Sequence, residues 1–314
     1  LNLYGLKVID FHSHFPVQRP GGRNWRKRLV DRYGEERADI ILENSRMYRD
    51  KWRRMWAFEP PEDGVVHSDR EQAQRWVDDM DAKGLERVNF MMGGGNDNLA
   101  EIIKWHPERF TGFAHHPLFG ENAAEELERG VTELGLKGFK VIASGLSGRI
   151  DSKEVYPVWE VAEKLQVPVL IHFGVLGGGG GPAYDVNNLN PLTFWKVCSD
   201  FPTLKVVIPH FGACYWRELL QLCWQSPNVF VDTSGSNQWM RWMPYDLDLK
   251  LLFRKAVETV GPERIIFGTD SSYFPRGFAA EYLREQLKTC YELGLSEEAI
   301  HRIFHDNAAE LLKL

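Results

Sequence analysis

The chain has 314 residues, 43% hydrophobic and 26% charged, a globular composition that excludes a disordered or collagen-like polymer. Its net charge of -6 disfavours a nucleic-acid partner, and with a mean hydropathy of -0.36 no apolar run approaches the ~18 residues of a membrane span. At roughly 150 residues per domain the length allows two domains, but one (β/α)8 barrel can take all of it.

In chain order, short β-branched or aromatic runs predict strands over 7–14, 87–93, 110–116, 136–143, 168–174, 205–212, 229–235 and 264–270. Helical patterns lie between them, among them 69–83, 123–134, 154–165, 215–224, 247–260 and 279–291. In the last of these, Ala279, Leu283, Leu287 and Cys290 share one face, while Glu281, Arg284, Glu285 and Lys288 take the other. Strands separated by helices call for parallel pairing, because a parallel pair needs a long crossover. The economical architecture is an α/β, TIM-type (β/α)8 barrel forming one domain over 1–314. An open doubly wound sheet is the alternative.

Two stretches depart from even spacing. The first connection, 15–66, far exceeds the usual two to six residues or so of a βα loop. It reads as a long helical insertion after strand 1, with helical periodicity over 39–56. Within 19–54 stand twelve Lys/Arg against six Asp/Glu, in a chain whose total is -6. Trp25, Tyr33, Tyr48, Trp52 and Trp56 punctuate it, so a solvated surface, a lid and an oligomer contact are the three readings. The second stretch is the run of five glycines at 177–181, expected to be a mobile loop. Cys198, Cys214, Cys223 and Cys290 show no CxxC spacing, and no leader pattern precedes the first strand. Both features give the expectation of a soluble, cytoplasmic protein with reduced thiols.

Chemistry-bearing residues gather at the strand ends. Strand 1 ends Asp10-Phe11-His12-Ser13-His14, and residues i and i+2 of a strand share a face. Strand 5 ends at His172-Phe173-Gly174, strand 6 at His210-Phe211-Gly212 and strand 8 at Gly268-Thr269-Asp270. Four of the ten histidines therefore sit on the face where barrel enzymes assemble their chemistry, which a set of unrelated core histidines explains poorly. Two imidazoles on one rigid strand suit a divalent metal.

These stretches, with Ile266-Phe267-Gly268-Thr269-Asp270 and Asp306-Asn307-Ala308, resemble the amidohydrolase superfamily over nearly the whole chain. The similarity is to the branch that contains aminocarboxymuconate-semialdehyde decarboxylase and small metal-dependent hydrolases. The resemblance implies one divalent metal, commonly zinc, with manganese or another divalent ion as alternatives, bound by His12, His14, His172 and Asp270. It places His210 beside the water such a metal activates, as an acid/base or orienting group. An imidazole titrates near physiological pH and suits that role. An Asp270 bound through one oxygen would keep the other free to accept a proton from that water.

Other residues have weaker signals. Lys140 on strand 4 sits where binuclear relatives carry a carboxylated lysine, and here reads as a substrate-anion contact. Of His115 and His116 at the end of strand 3, alternation admits only one to the cavity, and His116 is taken as that one. Arg46, Arg49, Arg53 and Arg54 are the pool for gripping a carboxylate, with Arg49 and Arg53 the chosen candidates. Asp232 reads as a structural hydrogen-bonding group for a loop. The expected partner is a small-molecule substrate, with no nucleic acid or membrane; the resemblance leaves a homodimer open, and no residue of the chain demonstrates one. Two reactions compete. In hydrolysis an activated water attacks an ester, lactone or amide of a small carboxylated or aromatic substrate; in non-oxidative decarboxylation an aromatic or unsaturated acid loses carbon dioxide. The span from His210 to Asp270 holds only a helix, a strand and a helix, and decarboxylases of the branch often carry longer insertions there, so hydrolysis is the expected reaction. A non-catalytic binding barrel is the third reading, disfavoured because no cysteine at a strand end supplies a closed structural zinc site.

Overall fold

The computed structural model describes residues 5–17, 25–56, 60, 62, 65–175 and 186–314; the glycine run at 177–181 lies outside them. Among the described residues the chain alternates as expected. Strand β1 (Ile9–Ser13) is followed by helices α1 (Trp25–Tyr33), α2 (Glu35–Trp56) and α3 (Asp69–Lys83), then β2 (Arg87–Phe90), α4 (Asn96–Trp105) and β3 (Phe110–Gly112). Next come α5 (Ala123–Thr132), β4 (Phe139–Ile142), α6 (Tyr156–Leu165), β5 (Val169–His172), α7 (Trp195–Asp200) and β6 (Val206–Ile208). The last part holds α8 (Trp216–Gln225), β7 (Val229–Asp232), α9 (Leu249–Val260), β8 (Ile265–Ile266), α10 (Ala280–Glu292), α11 (Glu297–His301) and α12 (Asn307–Leu312). None of these helices is long and apolar enough to cross a membrane.

Every strand pair is parallel, in the orders β1-β2-β3 and β4-β5-β6-β7-β8. Backbone bonds at both seams close these into one barrel. At one seam Ala114 N–H donates to Gly138 O at 2.8 Å; at the other Phe11 N–H donates to Phe267 O at 3.1 Å and Asp270 N–H to His12 O at 2.7 Å. Ile9, Phe11, Met91, Phe113, Leu170, Val207 and Ile266 fill the interior, and Ala308, Leu311 and Leu312 of α12 pack beneath them. The opposite strand faces, including Val88, Ile171, Ile208 and Val231, pack with helix residues such as Trp76, Trp159 and Phe253.

Local chemistry explains why α3 occupies the span expected of it. Ser68 and Glu71 form a reciprocal capping box at its start, and Gly84 ends it in the left-handed region at φ 73°. β8 is shorter than the expected 264–270, because past Ile266 the chain leaves regular pairing and bends towards Asp270, where φ is 57°.

Gly174, two residues past His172, joins the floor of the site to the β6 loop. A Cβ there would lie 2.2 Å from the Ala213 carbonyl oxygen and 2.7 Å from that of Gly212, at φ +75°. Both obstacles are backbone and cannot swing aside. Gly174→Ala is therefore expected to destabilise the fold by about 3 kcal/mol or more, read as a lower denaturant midpoint.

Candidate active site

The cavity opens at the C-terminal ends of the strands and has a volume of about 340 Å³. His12, His14, His172, His210, Lys140 and Asp270 all line it. Simple alternation does not explain His12: Ile9 and Phe11 already face the interior, so the next residue should turn away. The pairing of β1 with β2 shifts register between Asp10 and Ser13, and across this irregularity His12 joins His14 in the cavity. Buried Asp10 ties the segment to the β8 loop. It accepts from His12 N–H at 3.1 Å and Ser13 Oγ at 2.7 Å, and from Thr269 N–H at 3.0 Å and Thr269 Oγ1 at 2.5 Å. Burial pushes the Asp10 carboxyl up to about 7 despite these donors.

Asp270 Oδ1 stands 3.1 Å from His14 Nε2 and 3.8 Å from His12 Nε2. His12, His210 and Asp270 each offer a donor atom within 4.8 Å of the others, and the His172 ring centroid lies 4.8 Å from that of His210. Burial would raise Asp270, but the His14 hydrogen bond and the neighbouring His210, His14 and His12 hold it well below the usual carboxylate range. Burial, with Lys140 and His210 nearby, holds His12 and His172 well below the usual imidazole range, so both rings are neutral.

The end of β7 supplies an orienting shell. Asp232 Oδ2 accepts from His12 Nδ1 at 2.6 Å, and Oδ1 accepts from Ser234 N–H at 2.7 Å. Ser234 O accepts from His210 Nδ1 at 2.9 Å, while Ser234 Oγ lies 3.1 Å from His12 Nδ1 and 3.0 Å from His210 Nδ1. With their Nδ1 protons so engaged, His12 and His210 present Nε2 lone pairs to the cavity. The Nε2 atoms of His12 and His172 are buried and have no hydrogen-bond partner among the described residues. Buried imidazole lone pairs seldom go unmatched, and two of them beside a carboxylate suit a divalent metal.

His210 opens an unusual turn. His210, Phe211, Gly212, Ala213 and Cys214 have φ of 58°, 48°, 82°, 43° and 85°. Each non-glycine residue in the left-handed region costs about 1–2 kcal/mol, a strain that collects at functional sites. The turn is held by Trp239 Nε1, which donates to the His210 carbonyl at 3.0 Å.

Lys140 is fully buried, and its ammonium makes no hydrogen bond or ion pair among the described residues. Burial pushes it down to about 8, while Asp270 and Asp232 favour its charge. Arg49 of α2 reaches the cavity and donates to Ser45 Oγ at 2.6 Å. Arg53 does not line it and pairs with Asp50 at 3.2 Å; it shares a helix face with Arg49 but stands one turn further along α2, away from the cavity. Nor does His116: its Nε2 lies 2.9 Å from the Ala123 carbonyl and its ring packs on Phe139 at 4.7 Å. Sequence reasoning missed Trp239, Trp242, Arg276 and Tyr282, which complete the wall. It also gave Asp232 a loop contact without its bond to His12. A polar residue at an interior strand position was the available signal for Asp232; the short turn carrying both tryptophans had none.

The amidohydrolase family model matches residues 9–314. The chain is 29% identical over 276 residues to 2-amino-3-carboxymuconate-6-semialdehyde decarboxylase of Dictyostelium discoideum, covering 76% of this chain and 74% of that protein. It is also 29% identical over 275 residues to gamma-resorcylate decarboxylase of Rhodococcus jostii, covering 73% and 78%. Among solved structures, 5-carboxyvanillate decarboxylase of Novosphingobium aromaticivorans, complexed with manganese and 4-hydroxy-3-methoxy-5-nitrobenzoic acid, shares the fold at TM-score 0.60 and 18% identity over 99% of this chain and 97% of its own. The two curated relatives overturn the hydrolytic expectation, since both are decarboxylases. The compact His210-to-Asp270 connection on which it rested does not set the reaction.

Proposed function

The chain belongs to the amidohydrolase family, and from that premise we propose that it is a metal-dependent decarboxylase of an aromatic or unsaturated carboxylic acid. The observation that carries this reading is the lining of the cavity: Lys140, Arg49 and Arg276 bring positive charge to walls that include Trp239 and Trp242. Such a site suits a flat anion. His12, His14, His172 and Asp270 would hold one divalent ion, zinc or manganese, which supplies Lewis-acid charge stabilisation when bound. His210 and Asp270 face the same space and serve as the acid–base pair. A proton is delivered to the carbon bearing the carboxylate, the carbon–carbon bond breaks, its electron pair returns to the unsaturated system, and carbon dioxide leaves. Lys140 fixes the anion from the buried side. The apolar walls limit water around the reacting carbon.

The direct test is carbon dioxide release from a panel of aromatic and unsaturated carboxylic acids. One molecule per acid consumed is expected, lost on chelation and restored by zinc or manganese. Release from none of the acids, or release indifferent to chelation, contradicts the proposal. For Lys140→Met, removal of a charged hydrogen-bond donor is expected to raise KM about 10–100-fold, with a smaller change in kcat. Steady-state kinetics on the acid identified by the panel checks this.

A further inference from the structure

A second cluster of ligand-type side chains lies away from the cavity. His301, His305 and Asp306 each bring a donor atom within 4.8 Å of the others. Asp306 Oδ2 accepts from His301 Nδ1 and Oδ1 accepts from His305 Nδ1, both at 2.8 Å. The two imidazole centroids are 5.0 Å apart.

Backbone geometry accounts for the convergence. Residues i and i+4 of an α-helix share a face, but i+5 is rotated roughly 140° from i. Between α11 and α12 the helix widens to a π-helical stretch over Arg302–Asp306, which returns Asp306 to the face of His301. Such widened turns are rare and occur often at functional sites. A separate part of the chain completes the surroundings: Glu86, just before β2, places Oε1 3.7 Å from His305 Nε2. The nearby cations already have carboxylate partners, Arg302 with Glu310 and Lys7 with the second oxygen of Glu86. Lys7 and Glu86 precede β1 and β2, so the cluster lies at the N-terminal ends of the strands, opposite the cavity.

We propose that His301, His305 and Asp306 form a second site, for a borderline divalent transition ion such as zinc. Two neutral imidazoles and a carboxylate are suitable ligands for such an ion. Binding moves each imidazole proton from Nδ1 to Nε2, freeing both Nδ1 lone pairs. The new His305 Nε2–H then faces Glu86, the kind of outer carboxylate that commonly orients a metal-bound histidine. The ion would brace the helical run that closes the base of the barrel, so its effect is on stability rather than turnover.

Zinc bound per chain after equilibrium dialysis tests the site independently of the cavity. The wild-type protein is expected to hold one equivalent more than His301→Ala or His305→Ala, with turnover unchanged in both. Its Tm should rise with zinc beyond that of His301→Ala loaded only at the cavity. Equal zinc content in wild type and variants overturns the proposal. His301 is 42% exposed, so its substitution leaves the core untouched. In the wild type, imidazole NMR signals of His301 and His305 should shift on zinc addition, and unmoved signals overturn the proposal without any variant.

Discussion

Asp270→Asn is expected to lower kcat by about 10²–10⁴-fold, the usual loss when a positioned acid–base group is removed. Asparagine keeps the shape and one oxygen facing His14, which stands 3.1 Å from the carboxylate in the native chain. It cannot carry a proton. The Asp270 backbone is pinned on both sides, its N–H to His12 O at 2.7 Å and its carbonyl accepting from Arg276 Nη2 at 2.6 Å, so the substitution should not move the strand end. Metal content measured beside kcat separates its two roles. A large loss of turnover with metal retained identifies Asp270 as the proton carrier. Turnover within a few-fold of wild type removes that assignment.

The second large effect is expected at Asp232, on metal affinity. Its carboxylate fixes the His12 proton on Nδ1 through a contact of 2.6 Å between two fully buried side chains. Asp232→Asn replaces a charged acceptor with an amide that can turn its NH2 towards Nδ1. That orientation favours the tautomer carrying its proton on Nε2, which cannot ligate through that nitrogen. Loss of such an orienting partner typically weakens metal binding by 10–100-fold, about the decrease expected here in competition with a chelator of known affinity. Ser234→Ala should do less, because Asp232 still holds His12 and the Ser234 carbonyl still holds His210. Equal affinity of wild type and Asp232→Asn would make the Asp232–His12 contact purely structural.

The barrel was legible because its strands are short, mostly apolar runs buried on both faces, such as Val206–Ile208, set apart by amphipathic helices. The metal-ligand candidates were legible because histidines and an aspartate at strand ends have few structural reasons to recur. Less could be read where tertiary geometry overrides periodicity. Nothing in Asp10-Phe11-His12 announces the register shift, and the left-handed turn from His210 to Cys214 includes four residues other than glycine. The same limit separated Arg49 from Arg53: both are basic residues on α2, and only helix placement over the cavity distinguishes them. Loop length was a poor guide to the reaction, because it carries no information about the charges and walls around the cavity. Trp239, Trp242, Arg276 and Tyr282 reach those walls from segments without a strong motif.

Imidazoles at the ends of β1 and β5 and the carboxylate beyond β8 are proposed to share one cation. Anomalous scattering at the manganese edge, from crystals grown with that ion, decides the matter. A peak within ligand distance of His12 Nε2, His14 Nε2, His172 Nε2 and Asp270 is the predicted result. A cavity without a peak in fully loaded crystals, or a peak that does not touch the histidines of β1, would contradict it.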